Sequence, residues 1–246
     1  VVVVMADIES KKLAVLIDAD NAQASVCGEL LAEIAKFGVA SVKRAYGDWT
    51  TTQLKGWKEH LHKHAIQPIQ QFAYTTGKNA TDSLLIIDAM DLLHEGRLDG
   101  FCLVSSDSDF TPLATRIRAS GLVVYGFGEE GKTPEAFISA CDRFVFTEIL
   151  RSEKKPVSKV EPEDASRLKS IVSSALRAVS KEDGWATLSV VGGYITKNNP
   201  SFDPRNYGYD KLSKLVRSLK YVEVQEKAIE NSSGVNIYVR LRGEKK

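Results

Sequence analysis

Short apolar runs alternate with longer amphipathic stretches through the first 150 positions of the chain. The pattern predicts a strand over Leu13–Asp18, a helix over Ala22–Phe37, a strand over Val39–Tyr46, a helix over Thr52–His64 and a strand over Ile66–Phe72. A helix over Asp82–His94, a strand over Phe101–Ser106, a helix over Thr111–Ser120 and a strand over Leu122–Phe127 come next. A short helix near Glu135–Ala140 and a last strand, Arg143–Thr147, close the series. Strands of about five or six residues between helices of about ten or more predict an α/β domain, a parallel sheet with helices on both faces.

The pattern changes after Leu150. Residues 151–163 are charged, carry Pro156 and Pro162, and have no apolar period, so they read as a linker between a domain at 10–150 and another at 164–242. Beyond the linker, Leu168, Ile171, Val172, Leu176 and Val179 recur at helical spacing within Ala165–Val179. Helices over Leu188–Lys197 and Tyr209–Leu219 follow, then strands Val222–Gln225 and Asn236–Leu241 joined by a turn at Asn231-Ser232-Ser233-Gly234. Three helices and a hairpin outline a small winged helix-turn-helix module.

Charge sharpens this division. The net charge of +1 conceals 14 Lys/Arg against 20 Asp/Glu in residues 1–150 and 19 against 12 in residues 151–246. The basic half suits a polyanion. No apolar run approaches the roughly 18 residues that a membrane span needs, so no membrane association is expected. Cys27, Cys102 and Cys141 match no zinc or disulfide spacing and read as reduced core thiols. The Val1–Val4 run is too short and wrongly flanked for a secretory signal. The resulting expectation is a cytoplasmic protein.

Candidate chemistry lies where three segments of the first half deliver acids. The first strand runs into Asp18-Ala19-Asp20-Asn21, a later one into Ser105-Ser106-Asp107-Ser108-Asp109, and Asp82 opens the helix that also carries Asp88 and Asp91. Asp20 or Asn21 could cap the helix after the first strand, Ser108 or Asp109 the one after the later strand, and Thr81 the one that Asp82 opens. Caps leave Asp18 and Asp107 unexplained. Sites in open α/β sheets lie at the carboxyl ends of the strands, where these residues fall. Oxygen-only donors without a paired His or Cys suit Mg²⁺ or Mn²⁺ rather than zinc. Such ions activate a water and stabilise charge developing on a phosphoryl group. The four histidines are read as making no competing site: His60, His62 and His64 share one helix, and only His60 and His64 share a face.

Asp18-x-x-Asn21, Arg44-Ala45-Tyr46-Gly47-Asp48-Trp49, Lys78-Asn79-Ala80-Thr81-Asp82-x-x-Leu85-x-x-Asp88 and Ser105-Ser106-Asp107-Ser108-Asp109-Phe110 occur in that order. Together they resemble the NYN domain, a branch of the PIN-like metal-dependent nucleases, over roughly residues 10–150. The resemblance implies a Rossmann-like sheet, an acidic pocket binding Mg²⁺ or Mn²⁺, and hydrolysis of RNA phosphodiesters. Asp18, Asp82, Asp107 and Asp109 match the pocket's catalytic and metal-holding positions, and Asn21 its companion amide. Asp88 and Asp20 read as supporting carboxylates, since six residues turn Asp88 away from Asp82 on a regular helix. Ser105 joins them in a supporting place. Lys78 and Arg44 are candidates for phosphate contacts, and Tyr46 and Trp49 for stacking on a base, against ordinary packing. In-line attack of this kind would leave 5′-phosphate and 3′-hydroxyl ends.

In the second half, Pro200-Ser201-Phe202-Asp203-Pro204-Arg205-Asn206-Tyr207-Gly208-Tyr209 precedes Lys211-Leu212-x-x-Leu215-Val216. With Asp183-Gly184-Trp185 this resembles the OST-HTH domain, also called LOTUS, over roughly residues 164–242. The resemblance implies binding of RNA, with single strands expected, or in some members of a protein partner. Arg205, Tyr207, Lys211, Lys214 and Arg217 are the candidate RNA-binding residues, the last three forming a basic stripe opposite Leu212, Leu215 and Leu219. The reading is therefore a metal-dependent ribonuclease with a tethered RNA-binding module. The alternative is a non-catalytic RNA-binding protein with the acidic domain as scaffold. A phosphatase using Asp18-Ala19-Asp20 as nucleophile and acid explains neither Asp82 nor the basic module.

Overall fold

A computed structural model describes residues 10–72, 80–151, 162–228 and 235–243, side chains at 162 and 163 excepted. The chain divides into two compact units, Val1–Arg151 and Ser152–Lys246. Lys78, most of the expected linker and the expected turn at 231–234 lie outside the described residues.

The first unit is a six-stranded, all-parallel sheet. Its strands are β1 (Lys12–Asp18), β2 (Val39–Gly47), β3 (Gln67–Gln70), β4 (Gly100–Val104), β5 (Val123–Gly128) and β6 (Arg143–Phe146). They lie in the order β3-β2-β1-β4-β5-β6. From β1 the chain winds outward to β3, then crosses back to lay β4 on the other side of β1. The strand order therefore reverses between β1 and β4, and that reversal opens a crevice at their carboxyl ends.

Alternation along these strands sorts side chains between the two faces. Leu13, Val15 and Ile17 of β1 pack with Cys102 and Val104 of β4 under helices α1 (Cys27–Ile34) and α2 (Trp57–His64). Ala14 and Leu16 pack on the other face with Tyr46, Phe101 and Leu103, under α3 (Ala80–Glu95), α4 (Thr111–Ala119) and α5 (Glu135–Ala140). Every β1 residue after Lys12 is buried, which is why the central strand reads as a continuous apolar run. The same alternation aims Asp18 at the α3 face.

Several elements are shorter than the sequence pattern suggests. Helix α1 starts only at Cys27, because the backbone N–H of Ala22 closes a turn on the Asp18 carbonyl and a 3₁₀ turn at Ala24–Val26 intervenes. A 3₁₀ turn, Gln53–Gly56, likewise precedes α2. Neither Asp20 nor Asn21 caps a helix, and Thr81 lies inside α3 rather than before it.

The second unit holds α6 (Pro162–Val179), β7 (Ala186–Thr187), α7 (Leu188–Asn198), α8 (Leu212–Ser218), β8 (Val222–Ala228) and β9 (Val235–Leu241). The strands form an antiparallel sheet in the order β7-β9-β8. Leu168, Val172, Leu176, Val191, Ile195 and Val239 are among its core residues. The expected helix from Tyr209 begins three residues late. Asp203 caps a 3₁₀ turn at Pro204–Tyr207, and Gly208, at φ 81°, ends that turn in the left-handed region.

Helix α3 is held across β2 by one polar clamp. Asp88 accepts hydrogen bonds from the Arg44 guanidinium and the fully buried Tyr46 hydroxyl. Replacing Asp88 with Ala leaves both donors without that acceptor and is expected to cost about 2 kcal/mol of unfolding free energy, against about 1 kcal/mol for Tyr46→Phe. Urea unfolding of the two variants measures this, and near-identity of both with wild type would contradict the clamp.

Candidate functional site

The acidic segments converge on the crevice between β1 and β4. Asp18, the last residue of β1, has no exposed surface. Its Oδ2 accepts from Asn21 Nδ2 at 2.8 Å and from Ser105 Oγ at 2.7 Å, and its Oδ1 from the Asn21 backbone N–H at 3.3 Å. Burial raises its pKa above the usual carboxylate value, while the bonds from Asn21 and Ser105 act in the other direction. Ser105 Oγ also accepts from the backbone N–H of Asp107 at 3.1 Å, so one hydroxyl ties the end of β1 to the loop after β4.

That loop then turns on Asp107. Its Oδ1 accepts from the Asp109 N–H at 2.9 Å and caps a 3₁₀ turn, Ser108–Phe110. The cap is thus Asp107, not the Ser108 or Asp109 anticipated from the pattern. A capping role and a ligating role are compatible, since a carboxylate offers two oxygens. Asp82 enters from the first turn of α3. Carboxylate oxygens of Asp82, Asp107 and Asp109 lie within 4.8 Å of one another. This is a donor set of three carboxylates from two segments far apart in sequence.

Electrostatics mark the same spot. The Asp82 carboxyl is pushed up to about 6, first by burial and then by Asp18, Asp107, Asp109 and Asp20. A carboxylate so crowded is an electrostatic demand for a cation, and hard oxygen donors of this kind fit Mg²⁺ or Mn²⁺. Asp18 is a close neighbour of this group rather than one of the three; two of the bonds it accepts fall on Oδ2 and a single longer one on Oδ1, which keeps acceptor capacity toward the crevice.

Asp20 lies beside them. Its Oδ2 accepts from Thr81 Oγ1 at 3.1 Å, joining the β1 loop to the start of α3, and burial followed by Asp48 raises its pKa. Asp48 is a carboxylate directly after β2 to which its motif, Arg44-Ala45-Tyr46-Gly47-Asp48-Trp49, assigns no role. It accepts from Gln70 Nε2 at 2.9 Å, and Gln70 Oε1 in turn accepts from the Trp49 N–H at 3.0 Å. Nothing in its local sequence distinguishes it; only its proximity to Asp20 in space does.

Other expectations fall elsewhere. Asp88 is bound to Arg44 and Tyr46, consistent with a supporting place away from Asp82. Arg44, expected to meet phosphate, is neutralised by that pair because residues 44 and 46 share the α3 face of β2. Tyr46 is fully buried, and the Trp49 indole N–H donates to the Ile69 carbonyl at 2.9 Å, so packing rather than base stacking describes both.

In the second unit, Arg205 forks onto Asp203, with Nε to Oδ1 at 2.9 Å and Nη2 to Oδ2 at 2.8 Å. Tyr207 packs against Phe202 with ring centroids 5.8 Å apart. Lys211 is exposed, as the residue just before α8. Lys214 pairs with Asp210 at 2.9 Å and Arg217 with Glu226, both on the surface. Exposed pairs of this sort are weak and screened by salt.

Residues 12–150 match the NYN domain and residues 163–233 the OST-HTH/LOTUS domain. Among solved structures, a protein of unknown function from Vibrio parahaemolyticus is similar at 19% identity, over 57% of this chain and 94% of that one, with a TM-score of 0.49. A solution structure from Chromobacterium violaceum is 44% identical over 32% of this chain and 84% of its own, TM-score 0.26. One from Nitrosomonas europaea is 31% identical over 39% and 88%, TM-score 0.30. No curated protein matches the chain. The chain belongs to the NYN domain family, a branch of the PIN-like nuclease superfamily, and carries an OST-HTH/LOTUS module behind it.

The crowding at Asp82 has a sign that stability measurements can read. Its folded pKa of about 6 exceeds the model-peptide value of 3.8, so the folded state holds more protons between those pH values. Its contribution to stability is therefore present below pH ~4 and lost as pH rises through ~6. In EDTA at pH 7, Asp82→Asn should be more stable than wild type by about 1 kcal/mol, the partly exposed group being discounted for solvent screening. At pH 4 the difference should shrink. Thermal unfolding at both pH values is the check, and a variant less stable than wild type at pH 7 would contradict the crowding.

Proposed function

We propose that the chain is a Mg²⁺- or Mn²⁺-dependent ribonuclease that hydrolyses RNA phosphodiesters in the β1–β4 crevice, with the OST-HTH/LOTUS module holding the RNA. The observation that carries this reading is the convergence of Asp82, Asp107 and Asp109 within 4.8 Å at the topological switch of a nuclease-superfamily sheet. Three carboxylates facing one point repel a phosphodiester, so an anionic substrate needs a cation between them. When bound, such an ion neutralises the phosphate and lowers the pKa of water.

The chain's own residues then divide the work. Asp82, Asp107 and Asp109 hold the ion. Asp18, fixed by Asn21 and Ser105, keeps the loop after β4 in register with β1 and adds negative potential to the crevice. Asp20 and Thr81 hold the start of α3 to the same edge. In the second unit, Lys211 and the weakly paired Lys214 and Arg217 can exchange their surface partners for backbone phosphates. Arg205 and Tyr207 shape the turn that presents α8. Single-stranded RNA is the preferred substrate in this reading, since a module of this kind meets unpaired bases more readily than a deep A-form groove.

Incubation of wild type and Asp107→Asn with single-stranded RNA, in Mn²⁺, Mg²⁺ or EDTA, tests the reading. Cleavage should require the metal, leave 5′-phosphate ends, and fall by at least about a hundredfold in Asp107→Asn. RNA binding without cleavage under every condition would overturn it in favour of an RNA-binding scaffold.

A further inference from the structure

A second group of metal-ligating side chains lies under the other helix layer. Cys27 opens α1 and is fully buried, while His60 and His64 stand one turn apart on α2. Their donor atoms lie within 4.8 Å of one another. The two imidazoles are nearly parallel, 7° between planes and 6.1 Å between centroids. The His64 ring lies against the α1 backbone at Gly28, where an added Cβ would meet Nε2 at 3.8 Å. His60 Nδ1 is buried and has no hydrogen-bond partner among the described residues. A buried ring nitrogen without a partner is uncommon and asks for an explanation.

We propose that Cys27, His60 and His64 form a site for a Zn²⁺-class cation that staples α1 to α2. Donors at about 2.0–2.3 Å from a tetrahedral ion lie about 3.4–3.8 Å from one another. The present separations therefore need only side-chain adjustment, not movement of the helices. One thiolate and two imidazoles are a borderline-to-soft donor set, whereas the acidic crevice offers hard oxygen alone. Two donor sets of different hardness thus lie in the same domain. Three protein ligands leave a fourth position to water.

The surroundings set what binding must overcome. Burial, aided by Glu29, pushes the Cys27 thiol up to about 11, so the cation has to displace its proton. Lys43 works the other way on the thiol, with its ammonium donating to the His64 carbonyl at 2.5 Å. Cys102 and Cys141 offer no equivalent. Burial raises both of their pKa values, Cys141 Sγ lies 3.3 Å from the Phe137 carbonyl, and neither has a histidine group around it among the described residues. The proposal does not depend on the nuclease reading and stands if no RNA is cut.

Co²⁺ titration of the chelator-treated full chain tests it, with absorption spectra as readout. One equivalent should give four-coordinate d–d bands with a thiolate-to-cobalt charge-transfer band, and Zn²⁺ should bleach both. Cys27→Ala and His64→Gln should each abolish the charge-transfer band, whereas Asp107→Asn should keep it. His64 is partly exposed, so His64→Gln, checked by circular dichroism, guards against a loss due to unfolding. Cobalt bound without the thiolate band, or a band that survives His64→Gln, would overturn the site.

Discussion

A carboxylate with no exposed surface is costly unless neighbours replace the water it has lost. Asp18 is such a group, and what replaces the water is an amide three residues on and a hydroxyl at the end of another strand. Because Ser105 also receives the Asp107 N–H, this small network does more than satisfy one acid. It fixes where β1 stops, where the chain leaves β4, and where Asp107 and Asp109 are set down. The crevice is a consequence of strand order; the placing of Asp107 and Asp109 in it follows from that bond network.

Around it, the repulsion between acids organises the remaining chemistry. Asp82 arrives on a helix that is itself positioned by the Asp88 clamp to Arg44 and Tyr46 on β2. Sheet alternation puts residues 14, 16 and 18 of β1 and residues 44 and 46 of β2 on one face, so the clamp and the crevice share α3 as a common lever. The Asp88 ion pair and the crowded Asp82 carboxylate are thus separated along one helix by six residues. The opposite face carries α1 and α2 and a donor set of different softness.

Much of this was legible in the sequence because periodicity and burial agree. A central parallel strand must be apolar throughout, and Leu13–Ile17 is. Asp18 and Asp107 stand out as acids at the ends of apolar strands that a helix cap does not explain. Asp82 and Asp109 join them through the NYN resemblance, and the structure brings Asp82, Asp107 and Asp109 together. What was not legible depends on tertiary neighbours. Arg44 reads as a phosphate ligand until Asp88 is found beside it. Ser108 or Asp109 reads as the cap after β4, leaving Asp107 unexplained, until the 3₁₀ turn shows Asp107 itself in that place. Cys27 stands 33 residues from His60 in the chain, and only the packing of α1 on α2 brings them together. Asp48 likewise gains meaning only from Asp20.

The central claim is that Asp82, Asp107 and Asp109 hold a divalent cation. Crystals grown with Mn²⁺ and measured by anomalous diffraction address it directly. The account predicts a manganese peak among these three carboxylates, absent from Asp82→Asn crystals grown in the same way. A crevice with no peak at saturating Mn²⁺, or a peak indifferent to that substitution, would contradict it.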